Sequence, residues 1–223
     1  MKRSVVFAFA LLSMVYSGAQ IVKSIGIKSG VSLANQTWYY KAFNLPVHHS
    51  VKAGMYSAVS LEFLKGKYLS FATDLAYVEK GNVEILPSVT SGPYSNADYV
   101  RLHTRFAYFS VSPMVKARYE FKHVVPYVLL GGRLDQQLFY TSDNDYSSIE
   151  KDFNKTIWGL TMGAGVAWKL DKWTVSMEGL AHRDLSLVMD SPVTENYGGI
   201  RVNNRAIIIN FGLHYTFSPK AAK

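Results

Sequence analysis

Hydrophobic and polar residues alternate one by one along most of the chain, most clearly over 203–217, which reads NNRAIIINFGLHYTF. There Ile207, Ile209, Phe211, Leu213, Tyr215 and Phe217 share one parity. Ala206, Asn210, Gly212, His214 and Thr216 share the other, with Ile208 the one apolar exception. A period of two sustained over such a length is a strand pattern, because successive side chains of a strand point to opposite faces. The same reading predicts eight strands, at 23–36, 53–64, 68–79, 101–119, 124–140, 155–170, 172–185 and 205–217. Their connections alternate: 65–67, 120–123 and 171 are short, whereas 37–52, 80–100, 141–154 and 186–204 are long and rich in turn-forming residues.

The two faces of these strands differ in kind. One carries Ile25, Ile27, Val31 and Leu33, then Phe71, Leu75 and Tyr77, then Trp158, Leu160 and Met162, an apolar series. The other carries Lys28, Glu62, Asp74, Lys116, Arg118, Arg133, Asp135, Glu178, His182 and Asp184 among many glycines, alanines and serines. A soluble barrel needs the reverse arrangement, with an apolar interior. An apolar exterior around a polar interior suits strands that meet lipid on one side and a lumen on the other. The expectation is an all-β fold: an eight-stranded antiparallel up-and-down transmembrane β-barrel with short periplasmic turns and long extracellular loops. Eight strands enclose a space that side chains fill, so the lumen is expected to be a packed polar core rather than a channel.

The first nineteen residues change the picture once. Lys2 and Arg3 precede an apolar run from Val5 to Val15, and Ser17-Gly18-Ala19 follows. This is the layout of a secretory signal peptide at 1–19, with the barrel domain at 20–223. The apolar run is too short for a membrane-spanning helix, which takes about 20 residues. Losing Lys2 and Arg3 lowers the formal charge from +8 to +6. The 15 Tyr, 12 Phe and 4 Trp suit aromatic girdles at the two membrane interfaces. There is no cysteine, which excludes disulfides, thiolate nucleophiles and cysteine-held metals.

The segment Asn210-x-Gly212-x-x-Tyr215-x-Phe217 resembles the terminal β-signal of bacterial outer-membrane proteins, followed here by a short tail at 218–223. The resemblance implies that the barrel assembly machinery reads Asn210 to Phe217. GIKSGVSLAN (26–35), FATDLAYVEKG (71–81), YFSVSPMVKARYEF (108–121) and PYVLLGGRL (126–134) together resemble the PorT-like outer-membrane β-barrel family of Bacteroidetes. That family often has an acidic residue where this chain has Ser110. The likeness implies an eight-stranded barrel in the bacterial outer membrane and, through the family's name, a secretion-accessory role. It implies no chemistry, since a fold does not fix a function.

No catalytic, cofactor-binding or metal-binding residue is assigned, and no cofactor is expected. His182-Arg183-Asp184 matches a kinase catalytic loop only superficially, because the other kinase motifs are missing. His182 and Asp184 share a strand face near the outer rim, so a base oriented by a carboxylate there is the enzymatic alternative. No nucleophile is placed beside them, and a buried polar network is the simpler reading. His48-His49 lacks the further ligands of a metal site. Lys and Arg are dispersed and no recognition motif accompanies them, so nucleic acid is not an expected partner. The expected partners are outer-membrane lipid or lipopolysaccharide, the assembly machinery, and an envelope or secretion protein held by the long loops. The expectation is a non-enzymatic structural or interaction protein, with a narrow porin-like channel as a further alternative.

Overall fold

The computed structural model describes residues 22–64, 66–87, 99–143, 152–193 and 198–217. The expected signal segment at 1–19 lies outside them. The strands are β1 (Val22–Tyr40), β2 (Leu45–His48), β3 (Lys52–Phe63), β4 (Leu69–Pro87), β5 (Tyr99–Arg118), β6 (Val124–Ser142), β7 (Thr156–Leu170), β8 (Trp173–Asp184), β9 (Met189–Asp190) and β10 (Ile200–Thr216). Among the described residues no helix is long and apolar enough to cross a membrane.

Eight of these strands pair antiparallel in the order β1-β3-β4-β5-β6-β7-β8-β10, and β10 returns to β1, closing the ring. The closing ladder is long, running from Ser24↔Thr216 to Tyr40↔Ile200. Closure leaves no free edge within the eight-stranded wall. Each predicted strand corresponds to one wall strand. β2 and β9 are short additions that pair with the outer ends of β1 and β10, inside stretches expected to be loops.

The short connections are tight turns on the side where β1 begins and β10 ends. Leu170↔Trp173 closes a two-residue hairpin in which Asp171 takes the left-handed conformation, with φ of 55°. Such hairpins need a positive φ, which Asp tolerates better than most residues. Phe121↔Val124 closes another, with Lys122 at φ of 50°.

Most of the predicted outward face is exposed, with Ile27 65%, Phe71 53%, Trp158 62%, Met177 53% and Phe211 60% accessible, and Leu61, Leu75, Tyr77 and Val111 half-buried on it. In a soluble protein such a surface would be untenable; around a barrel it is the lipid-facing band. Trp173, Tyr215 and Phe217 stack edge to face at its periplasmic border, and Tyr68, Tyr119 and Phe121 extend the girdle. On β6 the register against β5 skips Leu138, so Leu138 and its neighbour Phe139 are both exposed. This bulge re-aims the upper part of the strand.

Candidate functional site

The interior is built in layers, because every second residue of each wall strand points into it. At the periplasmic end Arg118 binds Glu62 at 2.5 Å, Lys116 lies 3.5 Å from the same carboxylate, and Lys169 meets Glu120 at 2.6 Å. Lys116 also sits over the Tyr127 ring at 4.1 Å. Ser24, Ser176 and His214 line a small cavity beside them, with a volume of about 30 Å³. That is the scale of one water molecule.

Higher up, the Lys28 ammonium donates to Asp74 at 2.9 Å and to Glu178 at 2.8 Å. The hydroxyls of Tyr127 and Tyr56 donate to Glu178 at 2.7 Å and to Asp74 at 3.3 Å. Gly165 makes room for this layer: a Cβ there would stand 2.6 Å from the Tyr127 hydroxyl. Above it Lys80 binds Asp135 at 2.6 Å and Asp184 at 3.2 Å. Arg133 lies 3.1 Å from Asp135 and pairs with Asp184 as well.

Across these layers the buried cations Lys28, Lys80, Lys116, Arg118 and Arg133 face the buried anions Glu62, Asp74, Asp135, Glu178 and Asp184. Five charges of each sign cancel. That balance is what a poorly solvated interior requires, since an unpaired buried ion costs several kcal/mol. Ser110, where the resembling family often carries an acid, is fully buried and pairs with Asp135 across β5 and β6, so the acid comes from the neighbouring strand.

The outer third of the lumen departs from the expected polar core. Trp38, Phe106, Ile157 and Val202 fill it, none more than 3% exposed, while Ile208, the apolar exception in β10, is buried at the middle of its strand opposite Ser32 and Leu180. Loop residues close the mouth: Phe153 packs edge-on against Phe106 at 5.2 Å, and Met189 of β9 bridges to Phe153 and pairs with Val202. Val188 donates its backbone N–H to Val202 at 2.9 Å, and Asn154 donates to Val188 at 2.7 Å. Lys41 and Asp190 fasten this cap from outside at 2.5 Å. Once the wall rises beyond the bilayer, the interior needs no charge to face charge, and an apolar plug excludes water more simply.

The structure gives the His182 and Asp184 pair no catalytic arrangement. Both are buried in the lumen at 4% and 3% exposure. Asp184 is engaged by Lys80 and Arg133, while His182 Nδ1 has no hydrogen-bond partner, so the carboxylate does not orient the imidazole. His49 is placed against the Trp38 ring at 5.6 Å, edge to face, rather than in a ligand set. Among the described residues no group of His, Asp and Glu is disposed to hold a metal ion.

Lys80 is the residue that the sequence pattern missed, because it falls just beyond the predicted end of its strand. In the structure Asp74, Ala76, Val78, Lys80 and Asn82 continue a single inward parity, but beyond Val78 the alternate residues Glu79 and Gly81 give no apolar face to mark it.

A closed eight-stranded antiparallel wall, an apolar exterior and a charge-balanced interior define an outer-membrane β-barrel of the bacterial envelope. Residues 19–180 match the model of the family described as outer membrane protein beta-barrel domain, and the chain belongs to that family. No curated protein matches the sequence. Among solved structures it is similar to the outer membrane protein OprG of Pseudomonas aeruginosa, at 9% identity and a TM-score of 0.50, over 88% of this chain and 98% of that one. It is also similar to Neisserial surface protein A, at 12% identity and a TM-score of 0.45, over 86% and 97%. Outer Membrane Protein W of E. coli aligns at 12% identity and a TM-score of 0.41, over 88% and 99%. At 9% identity the likeness to OprG speaks for the fold alone.

Proposed function

We propose that this protein is a sealed, non-enzymatic anchor in the outer membrane that works through its extracellular face, holding an envelope or secretion partner. The observation that carries the reading is the closure of the lumen by both ion-pair layers and the apolar cap. A wall so filled supports neither a porin-like path nor access of a substrate to His182. What remains available is the outer surface, where β2 extends the wall and presents Leu45 at 52% exposure, beside Phe43 of the preceding turn at 78%. Binding elements on a rigid scaffold are a recurring use of loops, and exposed apolar side chains are the usual anchors of a protein contact. The resemblance to PorT-like proteins narrows the partner to the secretion apparatus.

Planar-bilayer recordings and in-cell crosslinking test the two halves of this reading. The purified barrel should give no steady conductance, and a photo-crosslinker at position 43 should capture a discrete protein in the native envelope. Stable openings would overturn the sealed lumen. Absence of any adduct at positions 43, 45 and 193, with loop deletions leaving envelope phenotypes intact, would overturn the partner role.

A further inference from the structure

Directly above the lipid-facing band, on the outside of the wall, Arg183 of β8 and Arg205 of β10 are cross-strand partners. Both are exposed, and among the described residues neither forms an ion pair or a side-chain hydrogen bond. Like charges placed opposite each other on neighbouring strands repel and destabilise the ladder. Other charges near this level are paired: Glu79 is held by Arg105, and Asp190 by Lys41 with Arg201 near. Asn35 completes the cluster as the β1 partner of Arg205.

Beneath the arginines the wall turns apolar within one outward position, since Leu33↔Ile207 follows Asn35↔Arg205 on the same ladder. Leu33, Ile207, Met162 and Ala181, overhung by Val51, form with Arg183 and Arg205 an open groove of about 560 Å³. A second groove shares the two arginines and continues outward past Thr37, Tyr39 and Asn203. The surface is therefore divided by height: two free guanidinium groups at the headgroup level, hydroxyl and amide groups above them, and a hydrocarbon trough below.

We propose that this wall binds an outer-leaflet glycolipid of lipid A chemistry, with Arg183 and Arg205 clasping a phosphate, Asn35 and Asn203 facing its sugar, and an acyl chain in the trough over Leu33, Met162 and Ile207. Guanidinium groups suit this task because their planar donors match phosphate oxygens in pairs. A bridging phosphate turns the repulsion between Arg183 and Arg205 into a shared attraction. The site lies on the exterior and is independent of the loop-mediated partner role.

The test uses the folded barrel in zwitterionic, phosphate-free micelles, with native mass spectrometry reading one-to-one adducts. Phosphorylated lipid A, the same lipid after removal of its phosphates, and inorganic phosphate are the three probes. Phosphorylated lipid A should bind, and the double variant Arg183→Gln, Arg205→Gln should bind it at least about tenfold more weakly, as loss of charge-assisted bonds predicts. Arg101→Gln, which removes an exposed cation of β5 that lines neither groove, should bind like the parent. Equal binding by the double variant, or by the dephosphorylated lipid, would overturn the arginine clasp. Inorganic phosphate competing as well as the lipid would overturn the role of the trough. A second readout separates binding from a folding defect: Arg205→Gln should raise Tm in lipid-free micelles, where repulsion is relieved, and lower it relative to the parent in bilayers containing phosphorylated lipid A. An unchanged sign between the two media counts against the site.

Discussion

The Lys80 ammonium stands 2.6 Å from the Asp135 carboxylate inside the lumen, joining residues on β4 and β6 that are not neighbours in the wall. The same ammonium reaches Asp184 of β8 at 3.2 Å. It thus ties three strands together across the interior, with side chains no more than 1% exposed.

Removing one member of such a cluster leaves its partners charged and dry. Lys80→Met should destabilise the barrel by about 3–5 kcal/mol, because breaking a buried pair strands the opposite charge. Adding Asp135→Leu should recover most of the loss, since Arg133 and Asp184 then balance each other. Urea titration in liposomes, followed by heat-modifiability on gels, reads both steps. Equal loss in the single and double variants would show that the charges are not coupled.

Depth should decide the cost of charge on the outer face. Phe211 is 60% exposed toward the middle of the band, while Ile207 lies one outward position below Arg205. Phe211→Arg should cost about 2–4 kcal/mol and Ile207→Arg about 0–1 kcal/mol, following the fall of the penalty from midplane to interface. The folded fraction after refolding into liposomes compares them. A larger defect at Ile207 would displace the band along β10.

Gly81 is held at φ of 146°, and a Cβ there would stand 2.0 Å from the Thr104 carbonyl oxygen. A side chain at this position meets both backbone strain and a clash with main chain that cannot move aside. Gly81→Val should therefore unfold the β4–β5 ladder above the membrane while leaving its periplasmic half paired. Amide exchange should rise at residues 82–86 and 100–104 and stay slow at residues 70–76. Protection unchanged above Gly81 would refute this.

The cap should loosen in acid. The hydrogen bond from Lys41 holds the Asp190 carboxyl below the usual carboxylate range, with the nearby Arg201 acting in the same direction. Because the folded group ionises at lower pH than the unfolded one, its contribution is complete above the ordinary range and is lost as pH falls through the folded value. Amide exchange of Val188 and Ser191, corrected for intrinsic rates, should accelerate between about pH 5 and pH 2. Asp190→Asn should show the faster exchange near neutral pH and converge with the parent as Asp190 protonates in acid, and an identical profile in parent and variant would remove Asp190 from the cap.

The wall was legible in the residue order because lipid on one side and a crowded lumen on the other impose a strict period of two. Ile25, Phe71 and Phe211 could be placed outward, and Lys28, Asp74 and Glu178 inward, from parity alone. That logic ends where the bilayer ends. Beyond it both faces of a strand meet water or packed loop, so the outer parts of β4 and β10, and all of β2 and β9, carried no contrast to read. Lys80 was lost to a predicted loop for this reason, and Trp38, Phe106 and Ile157 could not be recognised as a plug.

Which charge meets which is a separate question that only closure of the ring answers. Lys28 and Glu178 are 150 positions apart and come together because β10 pairs with both β1 and β8. His182 and Asp184 share a face by sequence, yet Lys80 and Arg133 arrive from β4 and β6 and take the carboxylate. Alternation along each strand is a local property that residue order sets directly. The ion-pair layers, the cap and the paired Arg183 and Arg205 depend on the stagger between strands, a property of the closed barrel that no single strand contains.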